Sequence, residues 1–394
     1  MKKPFVISIS GLSGSGKTSI TNALRERLVN VAVISFDDYG DSVYLDRDIN
    51  DWSEDSNDDE WHTEPIAADV ERLLNEQLDY IVLDYPFGYG NRLVGQYINL
   101  AVYIDIPLDV ALARRIIRDY TSRAVNTNVA DVEEVSLTGL DKELRFYLSC
   151  SRSTYARMPE MQKPLSDLIV DGTKTPEEIA DEILTFINTR NHYDTIIDEI
   201  EDPKNYKVID PAHDTEPLKS YMDKWDGEAF IEAMQLLPDK SVLEIGVGTG
   251  RIAIRVCGKC GSFTGIDISP KTIERAKANL QGFPNVSLIC GDCLTYQFNK
   301  TFDVIYSSLT FMHIKDKQAA IQKALDLLAT GGRFVLSIDK NQQTEIDYGT
   351  RRIPVFPDTP KETHELLTKA GFLIERQFET EFAVIFAARK VDAI

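Results

Sequence analysis

The sequence GLSGSGKT at residues 11–18 decides the fold of the first part of the chain. It fits the pattern G-x-x-x-x-G-K-S/T, a glycine-rich turn that joins a strand to a helix. In such a turn the backbone N–H groups surround phosphate oxygens, while the lysine and the hydroxyl serve the phosphates and Mg²⁺. A β-branched run at residues 5–10 and an amphipathic stretch at 17–30 supply the required strand and helix. The motif predicts a site for a nucleoside triphosphate.

A second glycine-rich turn, EIGVGTG at residues 244–250, differs from the first. It lacks the lysine and the hydroxyl of the phosphate site, and its spacing is G-x-G-x-G, whereas a dinucleotide site has G-x-G-x-x-G. Asp267 ends the next predicted strand, where a carboxylate suits a ribose diol. Asp292 follows the third strand and can accept a hydrogen bond from an adenine amino group. Together these signals predict a site for S-adenosylmethionine (SAM).

The length and charge of the chain limit the classes of function. A chain of 394 residues exceeds what one hydrophobic core usually serves, so two domains are expected. The net charge of -20 argues against binding nucleic acid through its phosphates, because such binding needs clustered Lys and Arg. No apolar run approaches the roughly 20 residues of a membrane span. We therefore expect small-molecule substrates, no nucleic-acid or membrane partner, and a cytoplasmic location.

Strands and helices alternate along both halves of the chain, which predicts the α/β class. We place a first domain at residues 1–190, a charged linker at 191–219 and a second domain at 220–394. Each domain is expected to be a three-layer α/β/α structure, the first with a parallel sheet. The last two strands, near 372–378 and 381–389, are too close in sequence for a parallel crossover, so they must form an antiparallel hairpin.

Carboxylates and arginines surround the first glycine-rich turn. Asp37 follows the second strand and suits accepting a proton from an attacking hydroxyl, with a helix cap or surface turn as the alternative. Asp84 ends the next strand and can hold Mg²⁺ through water or act as a cap. Arg114, Arg115 and Arg118 lie within one helical turn, which suits either an anion clamp or a solvated helix face.

The first 190 residues resemble the uridine kinase and nicotinamide riboside kinase branch of P-loop kinases. The matching pieces are GLSGSGKT, SFDDY at 35–39, the Trp61-His62-x-Glu64-Pro65 segment, RRIIRD at 114–119 and VDGTKTPEEIADEI at 170–183. This resemblance implies ATP with Mg²⁺ as cofactor, Asp37 as catalytic base and residues 114–118 as a lid. The chain departs from those kinases at Asp84-Tyr85-Pro86, where they usually have a glutamate-glycine pair. The implied acceptor is a nucleoside or another small hydroxyl compound.

Residues 220–394 resemble class I SAM-dependent methyltransferases in the order of their elements, in the pair Gly331-Gly332 before a strand and in the closing hairpin. The resemblance implies a seven-stranded Rossmann-like sheet with one antiparallel strand. It implies that the methionine and sugar are lined by Glu244, Gly246 and Gly248, that the ribose hydroxyls bind Asp267 and that adenine meets Asp292.

Several residues near the second turn keep two interpretations. Tyr221 and Trp225 can form a lid over the cofactor or pack a helix on the sheet. His313 can serve as a base for the methyl acceptor or be structural. Arg351 and Arg352 can bind an anionic acceptor or lie on a plain surface.

Four of the five cysteines form two C-x-x-C pairs, at 257–260 and 290–293, a spacing that resembles a zinc ribbon. In the predicted layout the pairs lie at opposite edges of a sheet, on the order of 10 to 15 Å apart. Thiolates that share one zinc ion lie about 2.3 Å from it. The layout therefore disfavours a zinc site.

The motifs and resemblances together give one set of candidate residues. The catalytic candidates are Asp37, Lys17, Arg114, Arg118 and His313. The candidates for binding ATP are Gly11, Ser13, Gly14, Ser15, Gly16, Lys17, Thr18 and Ser19, with Thr18 and Asp84 for the metal. The candidates for binding SAM are Glu244, Gly246, Gly248, Gly250, Asp267, Ile268, Asp292, Cys293 and Tyr221. We predict a bifunctional transferase that joins a kinase to a methyltransferase; the alternative is a methyltransferase whose P-loop domain only senses nucleotide.

Overall fold

The computed structural model describes residues 3–48, 51–52, 57–122, 137–198, 210–212, 214–347 and 352–391. The chain divides into two compact units, Met1–Phe186 and Ile187–Ile394. Each unit contains one main sheet of the α/β class, as predicted from the alternation of strands and helices. Within the described part of the chain, no helix combines the length and the apolarity needed to cross a membrane.

The first unit is built on a five-stranded parallel sheet in the order β2-β3-β1-β4-β5. Its strands are β1 (Phe5–Gly11), β2 (Val31–Ser35), β3 (Tyr80–Asp84), β4 (Leu100–Asp105) and β5 (Leu168–Asp171). All five are short, apolar runs, as expected of strands that a parallel sheet buries on both faces. Their register places Ile9 opposite Asp84 and Ser35 opposite Asp84 as well, so the three carboxyl ends meet at one edge.

Helices follow the strands of the first unit and cover the sheet, and the last of them continues beyond Phe186, where this unit ends. They are α1 (Lys17–Arg27), α2 (Glu64–Leu73), α3 (Arg92–Gly95), α4 (Leu108–Ile116), α5 (Leu137–Phe146), α6 (Arg152–Gln162) and α7 (Pro176–Asp198). Helix α7 begins at Pro176, and Thr175 and Glu178 form a reciprocal capping box at its start. Helix α4 continues as a π-helical turn, Ile117–Ser122.

The second unit contains a seven-stranded sheet in the order β13-β14-β10-β9-β6-β7-β8. Its strands are β6 (Ser241–Ile245), β7 (Ser262–Asp267), β8 (Val286–Cys290), β9 (Phe302–Ser308), β10 (Leu328–Asp339), β13 (Phe372–Glu379) and β14 (Ala383–Lys390), and a separate small hairpin is formed by β11 (Glu345–Asp347) and β12 (Arg352–Pro354). Strand β14 is antiparallel to both of its neighbours, and only residues 380–382 separate it from β13. The predicted closing hairpin and single antiparallel strand are confirmed.

Two hydrophobic clusters lie on the two faces of this sheet. The helices of the second unit are α8 (Glu216–Met222), α9 (Gly227–Ala233), α10 (Ala253–Val256), α11 (Pro270–Leu280), α12 (Lys317–Leu327) and α13 (Pro360–Ala370). Along β14, Phe386 belongs to one cluster and Ile385 to the other, as the two-residue period of a strand requires. Cys257 and Cys260 lie in the cluster of Ile385, whereas Cys293 lies in that of Phe386. Cys290 packs against the cluster of Ile385 too, so Cys293 is the one of these four cysteines whose side chain lies on the other face.

We expect the substitution Phe386→Ala to lower the free energy of unfolding of the second unit by about 3 kcal/mol or more, because it leaves a cavity in a closely packed core. Phe386 is 0% exposed at the centre of β14. Leu373→Ala on the neighbouring strand is the control; this side chain is 47% exposed, so its loss should change stability by about 0.5 kcal/mol or less. Urea denaturation measures both, and equal effects would contradict this assignment of the core.

Candidate functional site

The first glycine-rich turn lies between β1 and α1 and packs tightly against α4. Gly14 has a φ of +85°, and a Cβ at this position would stand 2.3 Å from the carbonyl oxygen of Ala111. A side chain is therefore excluded by both the left-handed backbone and the close approach of α4. The turn thus presents backbone at the start of α1, where N–H groups and the helix dipole favour a phosphate.

Lys17 folds back over this turn. Its Nζ donates hydrogen bonds to the carbonyl oxygens of Gly11 at 3.1 Å and Leu12 at 3.2 Å. Burial lowers the pKa of Lys17, while the carboxylates of Asp84 and Asp37 raise it. The ammonium group lies where phosphate charge would stabilise it.

Thr18 and Asp84 form a hydrogen-bonded pair at the sheet edge. The Thr18 hydroxyl donates to Oδ2 of Asp84 at 2.6 Å. Asp84 is 5% exposed, and burial raises its pKa, whereas the bond from Thr18 and the charge of Lys17 lower it. A hydroxyl and a carboxylate are the oxygen donors that Mg²⁺ takes beside substrate phosphates. The residues present therefore fit a magnesium ion.

Asp37 lies near the start of the 3₁₀ turn Phe36–Ser42 that follows β2, and it is exposed to solvent. Its charge acts on Lys17, Asp84 and Arg118. The structure thus brings four of the candidate residues into one electrostatic neighbourhood.

The three arginines of α4 and its π-helical extension have different partners. Arg114 donates from Nη1 to the Gly172 carbonyl oxygen at 2.8 Å, and this nitrogen is the closest atom to the space above Gly16, 4.0 Å from the position of a Cβ. Arg115 is held in an ion pair by Glu143. Arg118 pairs with its neighbour Asp119 at 2.8 Å. Two of the three arginines therefore remain beside the phosphate turn, and Arg115 is directed to α5.

The serines of the turn differ in exposure. Ser13 is half-buried and Ser19 is exposed on the first turn of α1. Ser15 is 1% exposed, and its hydroxyl has no hydrogen-bond partner among the described residues. Ser15 is thus held inside the turn, whereas Ser13 is partly and Ser19 largely accessible to solvent.

A cavity of about 390 Å³ lies in the segment between β2 and α3. Its lining consists of Asp46, Arg47, Asp59, Glu60, Trp61, His62, Glu64, Asn91 and Leu93. Trp61 packs on Phe36, the residue before Asp37, with ring centroids 5.7 Å apart. The cavity is thus connected by direct packing to the turn that carries the proposed base.

The second glycine-rich turn lies between β6 and α10 and leaves open space beside its backbone. Gly248 has a φ of +53°, and a Cβ there would meet no atom within 4 Å. Its N–H donates to Oδ2 of Asp267 at 3.0 Å. The space beside Gly246 is instead filled by Thr310, because a Cβ at Gly246 would stand 2.1 Å from Oγ1 of that residue. The turn therefore forms a cradle that is open at Gly248.

Asp267 lies next to this cradle at the end of β7. Besides the bond from Gly248, its Oδ1 accepts a bond from the Ser269 N–H at 3.1 Å. Burial raises the pKa of Asp267 to about 6, against the lowering effect of these backbone donors. A partly buried carboxylate beside an open backbone cradle fits the ribose of a bound SAM.

Glu244 is buried beneath the cradle. It is 3% exposed and accepts a hydrogen bond from the Tyr306 hydroxyl at 2.8 Å. Burial raises the pKa of Glu244 well above its usual value, while the bond from Tyr306 and the charge of Arg251 lower it. Glu244 is therefore fixed by a neutral donor and stands close to a positive charge.

The candidates after β8 have unequal exposure. Asp292 is partly buried, and its Oδ1 accepts a bond from the Leu294 N–H at 2.8 Å. Cys293 is 8% exposed in the hydrophobic core, and burial raises the pKa of its thiol to about 12. Only the backbone of Cys293 is thus available to a cofactor. Ile268 is half-buried beside Asp267.

Tyr221 and Trp225 pack on the closing hairpin. The Tyr221 ring is 5.2 Å from that of Trp225 and 5.8 Å from that of Phe382, which lies in the β13–β14 turn. Tyr221 remains 47% exposed. These contacts are the aromatic packing that the sequence offered as the alternative to a lid.

His313 lies in the 3₁₀ turn Phe311–His313 after β9 and is half-buried. The neighbouring Met312 carbonyl oxygen accepts a bond from the Phe356 N–H at 2.7 Å. Arg352 is paired with Glu345 at 3.0 Å in the small hairpin, and Arg351 lies outside the described residues. Of the described residues that the sequence suggested for the methyl acceptor, His313 lies just after the carboxyl end of β9, whereas Arg352 lies in the small hairpin.

Sequence reasoning missed Asp226 and Arg251. Asp226 is 0% exposed, and Arg251 donates from Nη1 to its Oδ1 at 3.1 Å. The signal in the sequence was weak: Asp226 precedes the helical stretch GEAF, as a capping residue would, and Arg251 follows the third glycine.

Two family models match the chain. Residues 236–371 match a methyltransferase domain, and residues 76–136 match the phosphoribulokinase / uridine kinase family. Among curated proteins, the malonyl-[acyl-carrier protein] O-methyltransferase 1 of Ilyobacter polytropus is 32% identical over 26% of this chain and 39% of its own length. The uridine kinase of Borrelia hermsii is 27% identical over 42% of this chain and 85% of its own length.

Each of these relatives is similar to one part of the chain, between 26% and 44% of its length. A solved structure of a putative SAM-dependent methyltransferase from Listeria monocytogenes aligns with 44% of this chain and 100% of its own, at 16% identity and a TM-score of 0.40. The chain spans less than half the length of the methyltransferase relative named above. The cofactors predicted from the two turns, ATP with Mg²⁺ and SAM, agree with the two families. The chain thus contains one segment that matches a methyltransferase domain and another that matches the phosphoribulokinase / uridine kinase family.

Proposed function

We propose that the chain is a bifunctional enzyme whose first domain phosphorylates a hydroxyl group of a nucleoside-like small molecule and whose second domain methylates a small-molecule acceptor. The observation that carries the kinase half is the convergence of Lys17, the Thr18–Asp84 pair and Asp37 at one sheet edge. A domain that only senses nucleotide would also use Lys17, Thr18 and Asp84 to bind the nucleotide with Mg²⁺, but it has no use for a base at Asp37.

The roles of the residues follow from their positions. Bound ATP with Mg²⁺ supplies the phosphoryl group. Lys17 and the backbone of the turn bind the phosphates, and Thr18 with Asp84 holds the metal ion. Asp37 would accept the proton of the acceptor hydroxyl as its oxygen bonds to the terminal phosphorus of ATP, while the bond from that phosphorus to the bridging oxygen breaks and ADP leaves. Arg114 and Arg118 offset the negative charge of the transferred group.

The cavity beside Trp61 is the best candidate for the acceptor. Carboxylates, an amide, an imidazole and one indole ring line it, together with Leu93 and with Arg47, which is ion-paired with Glu60. Such a lining suits a compound with several hydroxyl groups, because each hydroxyl can donate to a carboxylate while a ring packs on the indole. We therefore propose that the acceptor approaches Asp37 from this cavity.

The methyltransferase half depends on the open cradle at Gly248. Bound SAM supplies the methyl group. The cradle and Asp267 orient the sugar of the cofactor, Asp292 meets its adenine, and the region of His313 receives the acceptor. Proximity and alignment supply most of the rate in such a transfer, so no fixed catalytic triad is expected.

Small-molecule partners and a cytoplasmic location are part of the proposal. The net charge of -20 supports the first, since it disfavours phosphate-rich polymers. The domain boundaries at 190 and 220 also remain proposals.

We expect Asp37→Asn to lower kcat for phosphoryl transfer by about a hundredfold or more, because the amide cannot accept the proton of the acceptor. Affinity for ATP should stay unchanged. The matched control is Asp41→Asn, on the same 3₁₀ turn and exposed to solvent. A panel of nucleosides with labelled ATP identifies the acceptor and measures the rates. Tight ATP binding without transfer to any acceptor would favour the sensing role instead.

We expect Gly248→Ala to weaken SAM binding by about tenfold or more, an increase of about 1.4 kcal/mol in binding free energy. The added methyl group would fill the open cradle. Gly331→Ala is the control. Gly331 also has a positive φ, +74°, and open space around it, but it lies near the amino end of β10, whereas the proposed SAM site lies at the carboxyl ends of the strands. Calorimetric titration of SAM measures both; equal losses would show that backbone strain alone is responsible.

We expect SAM affinity to fall below pH 6, because the ribose hydroxyls need the ionised form of Asp267, whose pKa burial raises to about 6. The loss should approach about tenfold per pH unit. It does not reflect unfolding: a carboxyl with a raised pKa in the folded state makes folding less favourable as pH rises through that pKa, not as it falls. Titrations between pH 5 and 8 test this, and Asp267→Asn should bind weakly without this pH dependence.

A further inference from the structure

A segment upstream of the methyltransferase match contacts the cofactor turn. We call residues 210–212 and 214–226 the strap; they precede the matched residues 236–371. Two carboxylates of the strap are buried: Asp210 is 1% exposed and Asp226 is 0% exposed. Burying a carboxylate is costly unless hydrogen-bond donors surround it, so the donors to Asp210 and Asp226 show which parts of the domain these two groups connect.

Asp226 connects the cofactor turn to the end of β9. Arg251, the residue after Gly250, donates to its Oδ1 at 3.1 Å and also reaches Oδ2. Ser308, the last residue of β9, donates to Oδ2 at 3.0 Å. The Gly227 N–H donates to Oδ1 at 2.9 Å. One carboxylate thus fixes the position of the chain directly after the cradle.

Asp210 holds the turn from another side. It accepts from Nε of Arg275 at 2.8 Å and from Nδ2 of Asn279 at 2.6 Å, both on α11. The same Asn279 amide donates to the carbonyl oxygen of Thr249 at 2.9 Å, inside the cofactor turn. Asp210 therefore sets the orientation of the amide that holds the Thr249 backbone.

The strap is also attached at the acceptor edge of the sheet. The Trp225 carbonyl oxygen accepts from the hydroxyls of Ser337 at 3.3 Å and Thr380 at 3.1 Å. The Lys224 carbonyl oxygen accepts from the Phe382 N–H at 2.9 Å. The strap thus bridges the closing hairpin and the cofactor turn.

We propose that Asp210 and Asp226 are positioning residues for SAM: acting through Asn279 and Arg251, they hold residues 249–251 so that the cradle at Gly248 stays open to the cofactor. This inference rests on the proposed SAM site. It adds a requirement that the matched residues 236–371 do not contain, since both carboxylates lie before them. Part of the segment predicted as a linker would then serve the methyltransferase domain directly.

The test compares Asp210→Asn and Asp226→Asn with Glu216→Gln in the full-length protein. Glu216 lies on the strap, is exposed and pairs only with Lys219 among the contacts described, at 3.2 Å. We expect both aspartate variants to weaken SAM binding by about tenfold or more, since small misplacements of a binding group have effects of this size. The Glu216→Gln variant should bind SAM as the wild type does.

A second readout needs no ligand. Amide hydrogen exchange in the free protein should be faster at residues 246–251 in Asp210→Asn and Asp226→Asn than in the wild type, with β10 unchanged. A milder variant, Asn279→Ala, keeps the pair between Asp210 and Arg275 but removes the donor to Thr249, and it should show both effects even where the aspartate variants fold poorly.

The outcomes separate this inference from the SAM site itself. Variants with a lower melting temperature but unchanged SAM affinity and unchanged exchange at 246–251 would overturn the positioning role. Faster exchange at 246–251 in a protein whose wild type binds no SAM would overturn the proposed cofactor while supporting the role of the strap in holding the turn.

Discussion

The carboxyl ends of parallel strands meet at one edge of a sheet, and this constraint locates the chemistry of both units. In the first unit β1, β2 and β3 run in register, so that Ser35 and Ile9 both stand opposite Asp84. In the second unit β6 and β7 run in register, and Asp267 thereby reaches the N–H of Gly248. A residue that directly follows such a strand arrives at the site whatever its distance along the sequence.

Carboxylates are buried at the same edge, away from solvent, and neighbouring residues donate hydrogen bonds that replace those from water. Asp84 accepts a hydrogen bond from the Thr18 hydroxyl, and Glu244 accepts one from the Tyr306 hydroxyl. Asp267 accepts hydrogen bonds from two backbone N–H groups. Glycine turns complete the arrangement, because they expose backbone and leave room at Gly248. Donors and open space together give each unit a place for an adenosine-containing cofactor.

The orientation of some side chains depends on residues that are distant in the sequence, and these partners were not predicted. Arg115 lies in the same helical turn as Arg114 and Arg118, yet Glu143 of α5 draws it away from the phosphate turn. Cys293 follows Asp292 directly, yet its thiol joins the hydrophobic core. Tyr221 packs on Phe382, which is far along the chain in the closing hairpin. No pattern within a short window of sequence could assign these partners.

The sequence by itself determined the two glycine-rich turns, the strands that precede them, the acids at the strand ends and the closing hairpin. These features depend on a few neighbouring residues: φ at a glycine, the two-residue period of a strand and the minimum length of a crossover. Tertiary structure decided which polar and charged side chains meet. Thr18 and Asp84 are 66 residues apart and Arg251 and Asp226 are 25 apart, and such pairs form only when packed elements bring them within hydrogen-bond distance. The strap shows the difference most clearly. Asp210, in a stretch with the composition of a linker, and Asp226, near the start of the predicted second domain, are buried carboxylates that only the folded domain can supply with partners.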